Sequence, residues 1–345
     1  MKTLKAVGLL NLSFAVFSIL FLSSCSDDMT NTVDNRDGYE LKVWDYSDNH
    51  YFLDTVYKAS FVDYYNNTNI SQQTANLAVD EQSFEVWVQP EVIPQYYRLA
   101  AMHVDLPAMP VNGYDDSLKT VPTPEQGLRT FSIVRRLEQN EYVLNKYAGY
   151  ISLKINLPEN YFAGVAYKVP GTGNEFGTIS TDTSAFPNDT LILKMVKVQN
   201  LIPQNTLAWE LKLRNIYQLP KTNIVQTGFE FEVMYLSNGI WSQSLPVQDL
   251  NKDLIMILDL DKYTFEGIDI PDGKFDYLPD KTINEENGWI IFPTLKPFEE
   301  NMKNKINGIY IDSVYWYTEI YHSLKSESKT VPNANNYRFQ GYISK

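Results

Sequence analysis

Alternation with a period of two runs through this chain more clearly than any other pattern, and it limits the possible folds first. "SFEVWVQ" (83–89), "ILKMVKV" (192–198), "AWELKLRNI" (208–216) and "FEFEVMYL" (229–236) place apolar and polar residues in turn. A strand sends successive side chains to opposite faces, so these segments predict half-buried strands. "GYISLKI" (149–155) and "GVAYKVP" (164–170) flank the turn-rich "NLPEN" and predict a hairpin. "GWIIFPTL" (288–295) is apolar throughout, and Pro293 places it near an edge or a strand end, since proline cannot donate to a ladder.

Helical signals are few. "DTVYKASFVDYYNNTN" (54–69) carries a pattern through Val56, Ala59, Ser60 and Asp63 that also accepts Phe61 and Tyr64. "DSVYWYTEIYHSLKSES" (312–328) predicts one clear helix, with Asp312 as N-cap and Tyr317, Ile320, Tyr321 and Leu324 at helical spacing. The class expected is mainly β (α+β with few helices), with antiparallel sheets in β-sandwich-like modules. An aromatic content of 14%, with 24 tyrosines, suits side chains that pack on pleated surfaces. No repeat of fixed period is visible, which argues against a propeller or solenoid.

The start of the chain sets its address. Lys2 and Lys5 precede an apolar run, "AVGLLNLSFAVFSILFL" (6–22), broken by Asn11, Ser13 and Ser18 and a little short for a membrane span. "FLSSC" (21–25) then looks like a bacterial lipobox. That class makes residues 1–24 a signal peptide and Cys25 the lipid-carrying first residue, with 25–40 as a polar tether. Cys25 is the only cysteine, so the body has no disulfide, thiolate metal site or thiol nucleophile. Ser26, Asp27 and Asp28 are similar to the acidic tag of surface-displayed Bacteroidota lipoproteins, which implies an outer-membrane, lipid-anchored protein that is surface-exposed rather than periplasmic.

Residues 105–130 hold four prolines and two glycines. They predict a break between an N-terminal module (41–110) and a β-rich module (131–345), joined by a Pro/Gly-rich connection at 111–130. The whole chain carries a formal net charge of −13, and the residues after 24 carry −15, because Lys2 and Lys5 lie in the leader. Such a balance excludes nucleic acid as a partner class, since no basic stripe interrupts it.

Chemistry is sparsely marked. His50, His103 and His322 do not fall in HxH, HExxH or HxxxH spacing, and "GTGNEFG" (171–177) lacks the lysine and spacing of a phosphate loop. Glu85, Glu210, Glu230 and Glu232 lie in alternating segments opposite apolar neighbours. That is the pattern of a solvated face, where a catalytic acid finds no cleft to raise its pKa. The acidic stretch "DIPDGKFDYLPD" (269–280) offers Asp269, Asp272 and Asp276 as a weak metal candidate, but a calcium loop needs ligands at alternate positions and these are spaced by three and four. Asp272-Gly273 and Asn287-Gly288 read as turns instead, with "GKFDYL" as a short strand between them. The expectation is no catalytic residue, no cofactor and no metal.

Several long blocks, in order, resemble the N-terminal region of the SprA/Sov family, the giant outer-membrane translocon of type IX secretion and gliding motility. They are "EQNEYVLNKYAGYISLKINLPENYFAGVAYKV" (138–169), "LRNIYQLPKTNIVQTGFEFEVMY" (213–235), "PDGKFDYLPDKTINEENGWIIFPTLKPF" (271–298) and "VYWYTEIYHSLKSESKTVPNANNYRFQGYIS" (314–344). "HYFLDTVYKASFVDYYNN" with "FEVWVQ" extends the likeness to position 50. Members of that family are several times longer and contain a large transmembrane barrel, whereas this chain has no long series of lipid-facing strands. The resemblance implies a non-enzymatic SprA-type domain protein that acts through contacts with an outer-membrane or secretion-system protein. A detached N-terminal part of a split translocon and a surface glycan-binding lipoprotein are the alternatives.

Overall fold

The computed structural model describes residues 35–120, 128–180, 189–264, 267–306 and 308–345, so the leader, Cys25 and most of the tether lie outside the described residues. Residues 36–345 form one compact unit. Strand outweighs helix, 29% against 18%, so the class is mainly β, as the alternation predicted.

In chain order the first elements are β1 (Arg36–Lys42), β2 (His50–Phe52), α1 (Tyr57–Asn66), α2 (Gln72–Asn76), β3 (Glu85–Val88), β4 (Arg98–His103) and β5 (Arg129–Arg136). Then come β6 (Tyr142–Asn145), β7 (Tyr150–Leu153), β8 (Ala163–Val169), β9 (Asn174–Phe176), β10 (Leu191–Lys197), α3 (Thr206–Trp209) and β11 (Ile216–Gln218). The remainder is β12 (Glu230–Ser237), β13 (Ile240–Ser242), α4 (Leu254–Ile257), β14 (Ile283–Asn284), β15 (Trp289–Ile291), α5 (Pro297–Lys303), α6 (Glu319–His322), α7 (Lys325–Ser328) and β16 (Tyr337–Ser344).

β10, β4, β5, β3 and β8 pair in that order, and β8 pairs back onto β10, which closes a small five-stranded barrel. Every ladder between these strands is antiparallel except β10 with β4. Closure removes edges that would otherwise offer unpaired N–H and C=O groups. Residues opposite one another share a face, so the register puts Trp87 with Gly164 and Leu193 with Met102 inside the barrel. A side chain on Gly164 would meet Leu193 and Met102 at 3.0 Å, so the glycine makes room for the filling opposite it.

Two apolar cores share the chain. One surrounds the barrel and α1, whose buried residues Tyr57, Phe61 and Tyr65 recur every fourth position. The other is built from aromatic side chains of the last third, including Tyr217, Phe231, Phe292, Phe298, Tyr337 and Phe339. The small sheet β11–β15–β14 divides them. Ile216, Trp289 and Ile291 face the barrel core, while Tyr217, Ile290 and Phe292 face the aromatic one. This accounts for the unbroken apolar run at 289–292, since a strand buried on both faces has no reason to alternate.

Several expectations need correction. The proline-rich 111–130 is no module boundary: it connects β4 to β5, which are neighbours in one ladder, although residues 121–127 lie outside the described residues. The segments 149–155 and 164–170 do not form a hairpin, because β7 pairs with β2 and β6 while β8 joins the barrel. Residues 208–216 begin as the helical turn α3 and reach strand only at Ile216, with Leu211 and Leu213 bonded to β2 on the way. β15 is the middle strand of its sheet, so of the two placements expected for Pro293 the strand end holds and the edge does not. The helix expected over 312–328 breaks into a 3-10 turn (Ser313–Tyr315), α6 and α7, as Trp316 and Leu324 adopt extended backbone between them. Its apolar residues Tyr317, Ile320 and Tyr321 are buried as the spacing implied, but by separate turns.

β16 is paired on both sides, by β1 across seven residue pairs and by β12 across six. The strand at the C-terminus is therefore saturated, and β1 and β13 form the edges of that sheet.

Candidate functional site

The aspartates of the acidic stretch point at the backbone. Asp261 accepts hydrogen bonds from the amides of Asp272 (3.0 Å) and Gly273 (2.8 Å). Asp276 accepts from Lys262 (2.6 Å) and Tyr263 (3.2 Å), and Asp272 accepts from Lys274 (3.0 Å). Two buried carboxylates thus fasten opposite ends of one loop, supplying acceptors that a ladder would supply elsewhere. Burial raises the pKa of both Asp261 and Asp276, against the pull of those amide bonds. Asp269 is exposed. Among the described residues, no three His, Cys, Asp or Glu side chains gather in a way that could hold a metal ion, and Asp269, Asp272 and Asp276 are not brought together. "GKFDYL" forms no strand, but the Asn287-Gly288 turn does join β14 to β15. Gly288 has φ +67°, and a Cβ there would collide with the Lys221 carbonyl oxygen.

The same loop walls a cleft of about 540 Å³, opposite the end of α1. Tyr263, Phe275 and Tyr277 line it beside Asn66, Asn67 and Gln226. Lys281 sits 3.5 Å above the Tyr64 ring and donates to the Tyr64 carbonyl, and burial lowers its pKa. Phe275 packs against Phe229 and Phe231, so one wall of the cleft is continuous with the aromatic core.

The strand glutamates divide. Glu230 is exposed and bonded to Arg36 at 2.5 Å, and Glu232 takes the side-chain amides of Gln243 and Gln340. Glu210 caps α3 and pairs with Lys58. Glu85 overturns the expectation of a solvated face: it is only 1% exposed, on the inner face of the barrel. There it accepts from the Ser180 amide and hydroxyl and from Trp87 Nε1 (3.1 Å), and meets Arg136 at 3.3 Å. Alternation identified the face correctly but could not show that the barrel would close over it.

The histidines stand apart. His50 is buried, with Nδ1 2.6 Å from Ser152 Oγ and its ring edge-on to Trp289, and burial drives its pKa down to about 3. His103 bonds the Leu118 carbonyl at 2.9 Å, and His322 meets Glu299 at 2.7 Å.

The surface itself carries the strongest signal, and sequence reading passed over it. Between β3 and β4, "EVIPQYY" (91–97) exposes Val92 (82%), Ile93, Tyr96 (83%) and Tyr97. Leu99 continues the exposed apolar run onto β4, beside Ile133 and diagonal to exposed Phe131 on β5. These exposed apolar side chains on a strongly acidic chain are the candidate contact surface. The available signal was Val92 and Ile93 between Pro90 and Pro94, followed by Tyr96 and Tyr97, an apolar run without period.

No protein-family model matches the chain, and a search of curated proteins returned no match. Cys25 lies outside the described residues. Among the described residues, no helix is long and apolar enough to cross a membrane.

Proposed function

We propose that this chain is a non-enzymatic contact protein, anchored to the outer membrane through lipid on Cys25, and a relative of the SprA N-terminal domain. It works by binding another protein of type IX secretion or gliding motility. The observation that carries this reading is the exposed apolar loop 91–97 with Leu99 and Phe131. Burying such side chains against a partner contributes roughly 25 cal/mol per Å² removed from water, before the costs of association.

A photo-crosslinking residue placed at Tyr96 in the living cell tests it. The expected product is a covalent adduct with an outer-membrane component of the secretion or gliding machinery, lost when Val92 and Ile93 are both changed to Asp. A separately encoded barrel in that adduct would identify the chain as part of a split translocon. Adducts with lipid alone, together with normal secretion and gliding after deletion, would overturn the reading.

The cleft favours a second reading, surface glycan binding, because Tyr263 and Phe275 stand beside the amides of Asn66, Asn67 and Gln226. Sugars stack on aromatic faces and bond to planar amides. Calorimetric titration with host and bacterial polysaccharides is expected to show saturable heat that Tyr263→Ala abolishes; heat unchanged by that substitution would reject it.

A further inference from the structure

A second cleft, of about 490 Å³, opens between the barrel and the α6–α7 region. Five cations stand in its wall, Lys197, Lys212, Arg214, Lys325 and Lys329, against two carboxylates, Asp48 and Glu159. The chain as a whole has 42 acidic residues and 29 basic ones, so this concentration runs against its composition. Asp48 serves two lysines at once, Lys212 at 2.6 Å and Lys325 at 2.8 Å. Lys197 is held by the carbonyls of Pro158 (2.7 Å) and Tyr161 (2.5 Å). Asp45 adds a third carboxylate, on Lys325 at 3.3 Å, and the Glu159 carbonyl a third acceptor on Lys197 at 3.4 Å. Five cations thus meet three carboxylates, and the positive charge is only partly compensated.

Arg214 supplies an independent observation. It is 6% exposed, and its guanidinium lies 3.9 Å from the Trp209 ring, which fixes its plane. Nη1 donates to the carbonyls of Trp209 and Lys212, both at 3.1 Å. Nε and Nη2, the two donors along one edge, have no well-aligned hydrogen-bond partner, with the Tyr46 hydroxyl beside the guanidinium. A buried charged donor left unmet is costly, and that edge matches two oxygens of a carboxylate or phosphate.

We propose that this cleft binds a small oxyanion, the carboxylate or phosphate group of a small molecule, gripped by Arg214 with Lys197, Lys212 and Lys325 around it. Burial lowers the pKa of Arg214, of Lys212 and of Lys197 (to about 8), and an incoming anion relieves the cost of keeping these groups charged out of water. The volume suits a small organic acid or phosphorylated metabolite rather than a bare ion. Arg214 also borders a cavity of about 30 Å³ with Glu210 in its wall, where a water bridging the two is the competing explanation for the unmet donors.

The test is calorimetric titration of the full chain in mild detergent with sodium phosphate and, separately, sodium glucuronate, at fixed ionic strength with chloride as reference. Saturable binding of at least one probe is expected, and the one that binds more tightly assigns the group. Lys325→Gln and Arg214→Lys are each expected to weaken it about tenfold, the weight of one charge-assisted hydrogen bond. Lys146→Gln, on a distant surface pair with Glu81, is expected to leave it unchanged. If Arg214→Lys does not fold, as read by its melting curve, Lys325→Gln and Lys197→Gln carry the comparison. Heat no greater than that of chloride, or equal weakening by Lys146→Gln and Lys325→Gln, overturns the proposal.

Discussion

The barrel region and the aromatic last third both bury acids, and they differ in how far those acids serve the backbone. In the barrel, ladders satisfy most of the backbone, so Glu85 meets chiefly side chains, Arg136, Trp87 and the Ser180 hydroxyl, with the Ser180 amide beside them. Lys194 is likewise buried on β10, with Asp54 at 2.7 Å. In the last third, long loops leave amides without ladder partners, and Asp261 and Asp276 take those amides instead. The lesson is that the acceptor shortage of the local backbone, more than the identity of the residue, decides what a buried carboxylate does.

The comparison can be broken at its core first. Phe339 packs against Tyr217, Phe231, Phe292 and Phe298, so Phe339→Ala is expected to cost about 3–5 kcal/mol in a denaturant titration. If the barrel unfolded separately, the titration would show two transitions, whereas one compact unit predicts a single one. Glu85→Ala is expected to cost about 1–3 kcal/mol, because it strands the Trp87 and Ser180 donors inside the barrel. Arg136→Ala leaves that buried carboxylate without its cation and is expected to cost a similar amount, about 1–3 kcal/mol.

Acid separates the two regions further. Below the ordinary histidine pKa of 6.5 the unfolded chain binds a proton that folded His50 refuses, since its pKa is about 3. The contribution of His50 is full above pH 6.5 and is lost as the pH falls toward 3, at up to about 1.4 kcal/mol per pH unit. Asp261 and Asp276 have raised pKa values, so the folded chain holds their protons longer and their contribution grows as pH falls. Unfolding midpoints measured from pH 7 to 4 should therefore drop less steeply in His50→Gln than in the native chain. Asp276→Asn is the smallest expected effect, about 1 kcal/mol at pH 7, because one of its two amide donors then faces a side-chain NH₂.

Much of the architecture could be read from residue order. The strands at 83–89, 192–198 and 229–236 appear close to where alternation put them, but only β12 is half-buried as expected, since β3 and β10 are covered on both faces. The Asn287-Gly288 turn was legible for a local reason too, since only glycine accepts its φ beside the Lys221 carbonyl. The helix at 312–328 misled because Tyr317, Ile320 and Tyr321 bury themselves through separate turns, and spacing alone does not distinguish these from a continuous helix. In the acidic stretch the partners of Asp261 and Asp276 lie 11 to 14 residues away and leave no local pattern.

The order of residues by itself determined the mainly β class, the turn at Asn287-Gly288 and the scarcity of catalytic spacing, because each depends on neighbours a few positions apart. Tertiary structure alone decided that β8 returns to β10 and closes a barrel over Glu85, that β11 and β15 serve two cores, and that Lys197, Arg214 and Lys325 share one cleft. Those relations join residues from fewer than 20 to more than 100 positions apart. Their energy comes from water excluded between surfaces that meet only once the chain has folded.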